Sequence, residues 1–171
     1  MHAEIEVGED VDLVTLWRQL LADPTAPERC ELTEHGEIVV SPLPTNRHQR
    51  LVGRVAAQIL SQLGGDALGN VAILTSMGIR CPDLAWLPAE QYGDSPLPDP
   101  LTSAPPLLVE VLSPGNRKVV IAQKIRAFLE AGATEVIVIG LDGKTSFHRA
   151  DGAHAESAFG VKFELPAALF A

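Results

Sequence analysis

The sequence predicts an α+β (mixed α/β) fold, with one mixed central sheet flanked by helices. Three observations predict it. Apolar residues recur at helical spacing in three separate stretches. Between these stretches lie short runs rich in β-branched residues, punctuated by Gly and Pro. Two of those runs, 107–112 and 135–139, are apolar almost throughout, the pattern of central strands buried on both faces.

The chain has 171 residues, enough for one domain with a full-sized core. It reads as a single domain over 1–171: an N-terminal helix and connector (1–27), a core (28–140) and C-terminal strands (141–171). A hydrophobic content of 46% excludes a disordered chain. No apolar run approaches the roughly 18 residues of a membrane span. The N-terminus is acidic and has no apolar signal core, so the expectation is a cytoplasmic protein. Cys30 and Cys81 are too few for a disulfide framework and lack zinc-ligand spacing, so they read as structural thiols. The net charge of −9 excludes a general nucleic-acid coat protein. It leaves room for a local basic groove, because placement matters more than the total.

Taken in order, residues 10–22 read as a helix with Asp10 as N-cap, Leu13, Val14, Trp17, Leu20 and Leu21 on one face, and Pro24 past the end. A hairpin follows, 28–32 and 37–43, its turn at Thr33–Gly36 with Gly36 in a left-handed position. The clearest helix is 45–63. Thr45 or Asn46 caps it, Leu51, Val52, Val55, Ile59 and Leu63 form its stripe, and Gly64-Gly65 stops it.

Strands are expected at 70–75 and 79–87, joined by a tight turn near Gly78, with a bulge or strand end at Cys81-Pro82-Asp83 because Pro82 cannot donate to a ladder, and a surface loop at 88–106. After the strand at 107–112, a turn at 113–116 leads into a helix at 117–131. Ile121, Ile125, Phe128 and Leu129 face its core and Gly132 is its C-cap. The strand at 135–139 returns through Asp142-Gly143 to a strand at 144–149. A weak strand at 155–159 and a closing strand at 161–165 complete the sheet, and Pro166 starts a last short turn.

Chemistry concentrates in 78–132. Asp83 and Glu110 each sit in an otherwise apolar strand-like run, where a buried carboxylate needs a cation to offset its desolvation. Two acids on neighbouring strands can converge on a hard cation such as magnesium, which polarises a phosphodiester and activates water. Lys124 shares a helical stripe with Val120 and Phe128 and can stabilise charge on phosphorus or orient water. Blander readings stand beside these. Lysine stems commonly lie on apolar surface with the ammonium in water. Glu110 can pair with Arg80 or Arg117, and Asp83 can be a turn residue.

Three blocks carry a resemblance. They are 30–42 (CELTEHGEIVVSP) followed by His48, then 80–86 (RCPDLAW), then 108–114 (LVEVLSP) followed by Lys124 and Ala131-Gly132. Together they resemble the Uma-type endonuclease family of the PD-(D/E)XK nuclease superfamily. The resemblance implies a restriction-endonuclease-like core with 28–140 as the catalytic region. It implies a DNA phosphodiesterase dependent on Mg²⁺ (or Mn²⁺), and a homodimer. By position, Asp83 matches the superfamily aspartate and Glu110 the acid of the signature. The carbonyl of Val111 is a further implied metal ligand, and Glu31 completes the site. The signature lysine falls at Leu112, and Lys124 on the following helix is its replacement. Val120, Phe128 and Gly140 stand where the family often has Asp, Tyr and Asp.

For nucleic acid, Arg47, Arg50 and Arg54 form a basic stripe, with His48 beside it, and Arg117 and Lys118 add charge at the next helix start. His48 can contact phosphate, assist proton transfer or merely cap its helix. Aromatics are only 5%, which excludes base-stacking platforms. The alternative to the nuclease is a catalytically impaired protein on the same fold, acting as a DNA-associated or oligomeric interaction module.

Overall fold

The structure is a computed structural model, and residues 11–171 are described. The expected Asp10 cap lies outside them. Helix α1 spans Leu13–Ala22, capped by Asp12, whose carboxylate accepts from the Thr15 N–H. Its buried face is Leu13, Leu16, Trp17 and Leu20; Leu21 is exposed. A hairpin of β1 (Cys30–Leu32) and β2 (Ile38–Val40) follows, turning at Gly36 with φ +80°. Helix α2 (Asn46–Leu63) has Thr45 as its cap, buries Leu51, Val55 and Ile59, and stops at Gly64.

Beyond it come β3 (Asp66–Leu68), β4 (Ile73–Thr75), β5 (Gly78–Arg80), β6 (Leu84–Leu87), a short helix α3 (Ala89–Tyr92) and β7 (Leu107–Val111). Helix α4 (Lys118–Glu130) then leads to β8 (Glu135–Ile139), β9 (Thr145–Arg149), β10 (Gly152–His154) and a 3₁₀ turn at Ala167–Leu169. Ala131, not Gly132, is the α4 C-cap; Gly132 follows at φ +115°.

The central mixed sheet is present, in the order β10-β9-β8-β7-β6-β3, with β7 and β8 parallel and the other pairs antiparallel. All five positions of both β7 and β8 are buried, as their apolar sequences require. Leu107, Val109 and Val111 face the cluster built on α2, and Leu108 faces the one that holds Phe128 of α4.

The structure departs from the single expected sheet by adding a second, β2-β1-β5-β4, all antiparallel. The run expected as one strand over 79–87 is cut at Cys81-Pro82-Asp83, so β5 joins the second sheet and β6 the first. Pro82 has no N–H for a ladder, which is the physical reason for the break.

Other elements shift in the same way. The loop 88–106 is only half surface: Pro100, Leu101 and Ala104 are buried, and Leu101 bridges Ile73. The strand expected at 155–159 is instead β10, pairing at once with β9 after Asp151. Residues 161–165 form no strand. They lie along α2, where Gln58 bonds both N–H and C=O of Glu164 and Gln62 both of Lys162, so two glutamines act as a surrogate strand. Among the described residues, no helix is long and apolar enough to cross a membrane.

Candidate active site

The register of the central sheet brings the two acids together. Leu84 pairs with Val109, so one step further along the ladder Asp83 stands opposite Glu110. Alternation along β7 turns Glu110 to the α4 side, the side of Leu108. Helix α4 presents Phe128 there and, one turn earlier, Lys124. Four helical residues advance about 6 Å and two strand residues nearly 7 Å, so a lysine one turn from Phe128 comes over the acid two residues from Leu108.

Lys124 is thereby largely shielded, its side chain 17% exposed, and its ammonium meets acids rather than water. Its Nζ lies 2.9 Å from Glu110 Oε1 and 3.5 Å from Glu31 Oε1, and it donates to the Cys81 carbonyl at 2.9 Å. It also stands 5.7 Å from the centroid of the Phe128 ring. Burial pulls its pKa down, but Glu110 and Glu31 outweigh burial and hold the ammonium above the ordinary lysine range.

Glu110 is 5% exposed. Burial first, with Asp83 reinforcing and Lys124 opposing, raises its pKa to about 7. Oε1 is buried, and its one close polar contact is the 2.9 Å ion pair with Lys124. Glu110 therefore pairs with Lys124, whereas the sequence had offered Arg80 or Arg117. Arg80 instead pairs with Glu31 at 3.1 Å, and Arg117 is exposed.

Glu31 completes the cluster from the second sheet. Its Oε1 accepts the Cys81 N–H at 2.7 Å, its Oε2 accepts from Arg80, and its position helps to fix Lys124. The Cys81 peptide is thus held at both ends, by Glu31 on its N–H and by Lys124 on its carbonyl. Both cysteines are free thiols, as expected.

Asp83 Oδ2 accepts the Val111 N–H at 2.8 Å. His48 Nε2 lies 3.2 Å from the same oxygen and 3.0 Å from the Val111 carbonyl. The sequence had set His48 among the nucleic-acid contacts, beside the arginine stripe. The structure turns it inward onto Asp83, which raises its pKa against the opposing effect of burial. The signal was there: His48, Leu51 or Val52, Val55 and Ile59 share the apolar face of α2.

Of the basic stripe, Arg47 is exposed but tied to the C-terminal segment. It donates to the Leu169 carbonyl at 2.6 Å and lies over Phe170. Arg50, Arg54, Arg117 and Lys118 are exposed. Val120 is 43% exposed, and Gly140 has Asp142 Oδ1 only 2.9 Å from where a Cβ would stand, so neither supplies the polar partner the resemblance led one to expect. Leu112 lines a small cleft with His48, Thr45, Arg47 and Gly140 beside the site.

A second buried acid, Glu135, was not singled out by sequence. It accepts from Arg149, Ser157 and the Ala158 N–H, so its charge is fully met and its role is to pin the segment after β10.

Among the described residues, no group of three His, Cys, Asp or Glu side chains is assembled as a ready metal site. Asp83 and His48 meet directly, the adjoining oxygen is the main-chain carbonyl of Val111, and Glu110 is drawn to Lys124. The donors themselves suit a hard divalent cation: the carboxylates of Asp83 and Glu110 and the Val111 carbonyl, all oxygen.

Residues 17–167 match a family model, Uma2, described as "Putative restriction endonuclease". A crystal structure from Anabaena variabilis, titled "a putative nuclease belonging to DUF820", is similar in fold. Its TM-score is 0.69 at 17% identity, over 90% of this chain and 96% of that one. No curated protein matches the chain.

Proposed function

The chain belongs to the Uma2 family, and we propose from its site that it is an endonuclease hydrolysing DNA phosphodiester bonds with Mg²⁺ or Mn²⁺. The observation that carries the reading is Lys124, a shielded ammonium drawn to Glu110 and held beside Asp83 and Glu31. Gathering Lys124, Glu31 and Asp83, all partly shielded from water, around the buried Glu110 is costly for stability alone, which favours a chemical use for them.

Asp83, Glu110 and the Val111 carbonyl would hold the cation. When bound, the ion polarises the phosphodiester and lowers the pKa of a water. Lys124 has its pKa raised, so at neutral pH it keeps its proton and cannot act as a general base. Its role is electrostatic, stabilising negative charge that develops on the phosphoryl oxygens. Glu31 is a positioning residue, holding Lys124 and the Cys81 peptide. Arg50, Arg54, Arg117 and Lys118 would contact backbone phosphates. The assembly that belongs to this reading is a homodimer, which sedimentation velocity measures.

Cutting of supercoiled, linear and single-stranded DNA in Mg²⁺ or Mn²⁺ tests the reading. Wild-type protein should cut, EDTA should stop it, and Asp83→Asn, Glu110→Gln and Lys124→Met should each lose about 100-fold or more. Equal cutting by the variants, or no cutting by any protein on any substrate, sinks it.

One observation favours the second reading, a catalytically impaired module that binds DNA or other copies of itself. Lys124 is held by Glu110, Glu31 and the Cys81 carbonyl, and His48 lies across Asp83 and Val111, so the cluster largely neutralises itself. DNA binding without cleavage, unchanged by Glu110→Gln, is its signature.

A further inference from the structure

We propose that His48 is itself a ligand of the divalent cation, supplying the one nitrogen donor beside Asp83, Glu110 and the Val111 carbonyl. The inference rests on the metal-site reading above and adds to it a residue that the resemblance did not assign to the metal.

The geometry is that of a coordination edge. In an octahedron with donors about 2.1 Å from the ion, neighbouring donors are about 3.0 Å apart. His48 Nε2 lies 3.2 Å from Asp83 Oδ2 and 3.0 Å from the Val111 carbonyl oxygen. The imidazole nitrogen therefore already stands at neighbouring-vertex distance from two proposed ligands.

As a hydrogen-bond donor the same nitrogen is poorly used. Nε2 carries at most one hydrogen, yet it faces two acceptor oxygens. A lone pair directed to an ion between those oxygens uses the arrangement fully. The donor is also rigidly placed. His48 lies in the first turn of α2, its backbone N–H is held by Thr45 Oγ1 at 3.2 Å, and its side chain is only 13% exposed.

An imidazole ligand has a chemical consequence. Nitrogen suits manganese and later first-row ions better than magnesium, which prefers an all-oxygen shell. The site should therefore take Mn²⁺ more tightly than Mg²⁺, and His48 should carry much of that preference.

Mn²⁺ alone, added to the full-length protein, is the probe. Pulsed electron paramagnetic resonance of bound Mn²⁺ should show modulation from a directly coordinated ¹⁴N, and His48→Gln, which keeps an oxygen donor, should bind Mn²⁺ without it. By calorimetry, His48→Ala should weaken Mn²⁺ binding by at least about tenfold and Mg²⁺ binding by less. The wild-type nitrogen signal depends on no variant folding, and the melting temperatures of the variants guard the rest. Mn²⁺ bound to wild type without nitrogen coupling, or coupling that survives in His48→Gln, overturns the His48 assignment and leaves the metal site standing, provided Asp83→Asn abolishes binding. If wild type binds no Mn²⁺, the assignment and the metal site fall together.

Discussion

Glu110 carries the sharpest residue-scale prediction. Its pKa rises from the ordinary 4.5 to about 7. Between these values the native state holds a proton that the unfolded chain has released, so stability falls as pH rises through this window and is level above about 7. Lys124, with its pKa raised, stays charged across the window and does not change the slope. Urea unfolding in EDTA should show Glu110→Gln gaining on wild type from pH 4.5 to 7, by no more than about 3 kcal/mol at about 1.4 per unit. A constant difference across that range rejects the raised pKa. Cys81 gives a second test. Burial first, and Glu31 next, push its thiol up to about 12, so iodoacetamide at pH 8 should label it only after unfolding, as peptide mass mapping reads. Labelling in the native protein would contradict the raised pKa. The acids and Lys124 were legible in the sequence because charged residues are rare on buried apolar faces. The resemblance grouped Lys124 with the two acids, but spacing alone could not choose between Lys124 and an arginine as the partner of Glu110, because it cannot orient α4 against a strand. His48 was misplaced because its neighbour Arg47 drew it into a basic stripe, although its own spacing put it on the buried face of α2.

At the element scale, sequence identified α2, α4, β7 and β8 nearly to the residue, because the two helices are long and periodic and the two strands are apolar almost throughout. It missed β3, a three-residue strand with a charged start, and although Pro82 marked a bulge or strand end, it did not show that the two sides join different sheets. It read 161–165 as a strand for its alternation, yet that segment takes its main-chain bonds from Gln58 and Gln62. Gln58→Ala and Gln62→Ala together should therefore release the segment, costing about 1 kcal/mol per residue, with faster amide exchange at Lys162 and Glu164 and no change in β7 or β8. Uniform exchange changes would mean the segment is held otherwise. Gly78 is the opposite case, a turn fixed by sterics. It sits at φ +99°, and a Cβ there would come within 2.1 Å of the Leu32 carbonyl oxygen. Gly78→Ala should separate β5 from β1 and move Glu31 away from Arg80 and Lys124, with a loss of stability of several kcal/mol in urea unfolding.

For the whole molecule, the question is how a chain of net charge −9 approaches DNA. Arg47 is committed to the Leu169 carbonyl and Phe170, so its loss should lower stability more than affinity. The cations free of ion pairs among the described residues include Arg50 and Arg54 along α2, and Arg117 and Lys118 at the start of α4. Arg117 and Lys118 stand at the start of α4, the helix that also supplies Lys124, whereas Arg50 and Arg54 lie on the exposed side of α2, away from His48. Each phosphate neutralised adds about 0.9 to the slope of log K against log salt. Four cations set a ceiling of about 4 per protomer, a shallow dependence, with overall repulsion keeping binding weak except at low salt. Arg117→Gln with Lys118→Gln should reduce the slope by nearly 2 in fluorescence anisotropy with a short duplex, equally for unrelated sequences, since phosphate contacts carry no base information. Arg47→Gln should leave the slope unchanged while lowering the melting temperature. A slope well above 4, or one untouched by removing Arg117 and Lys118, would mean that DNA meets another face of the molecule.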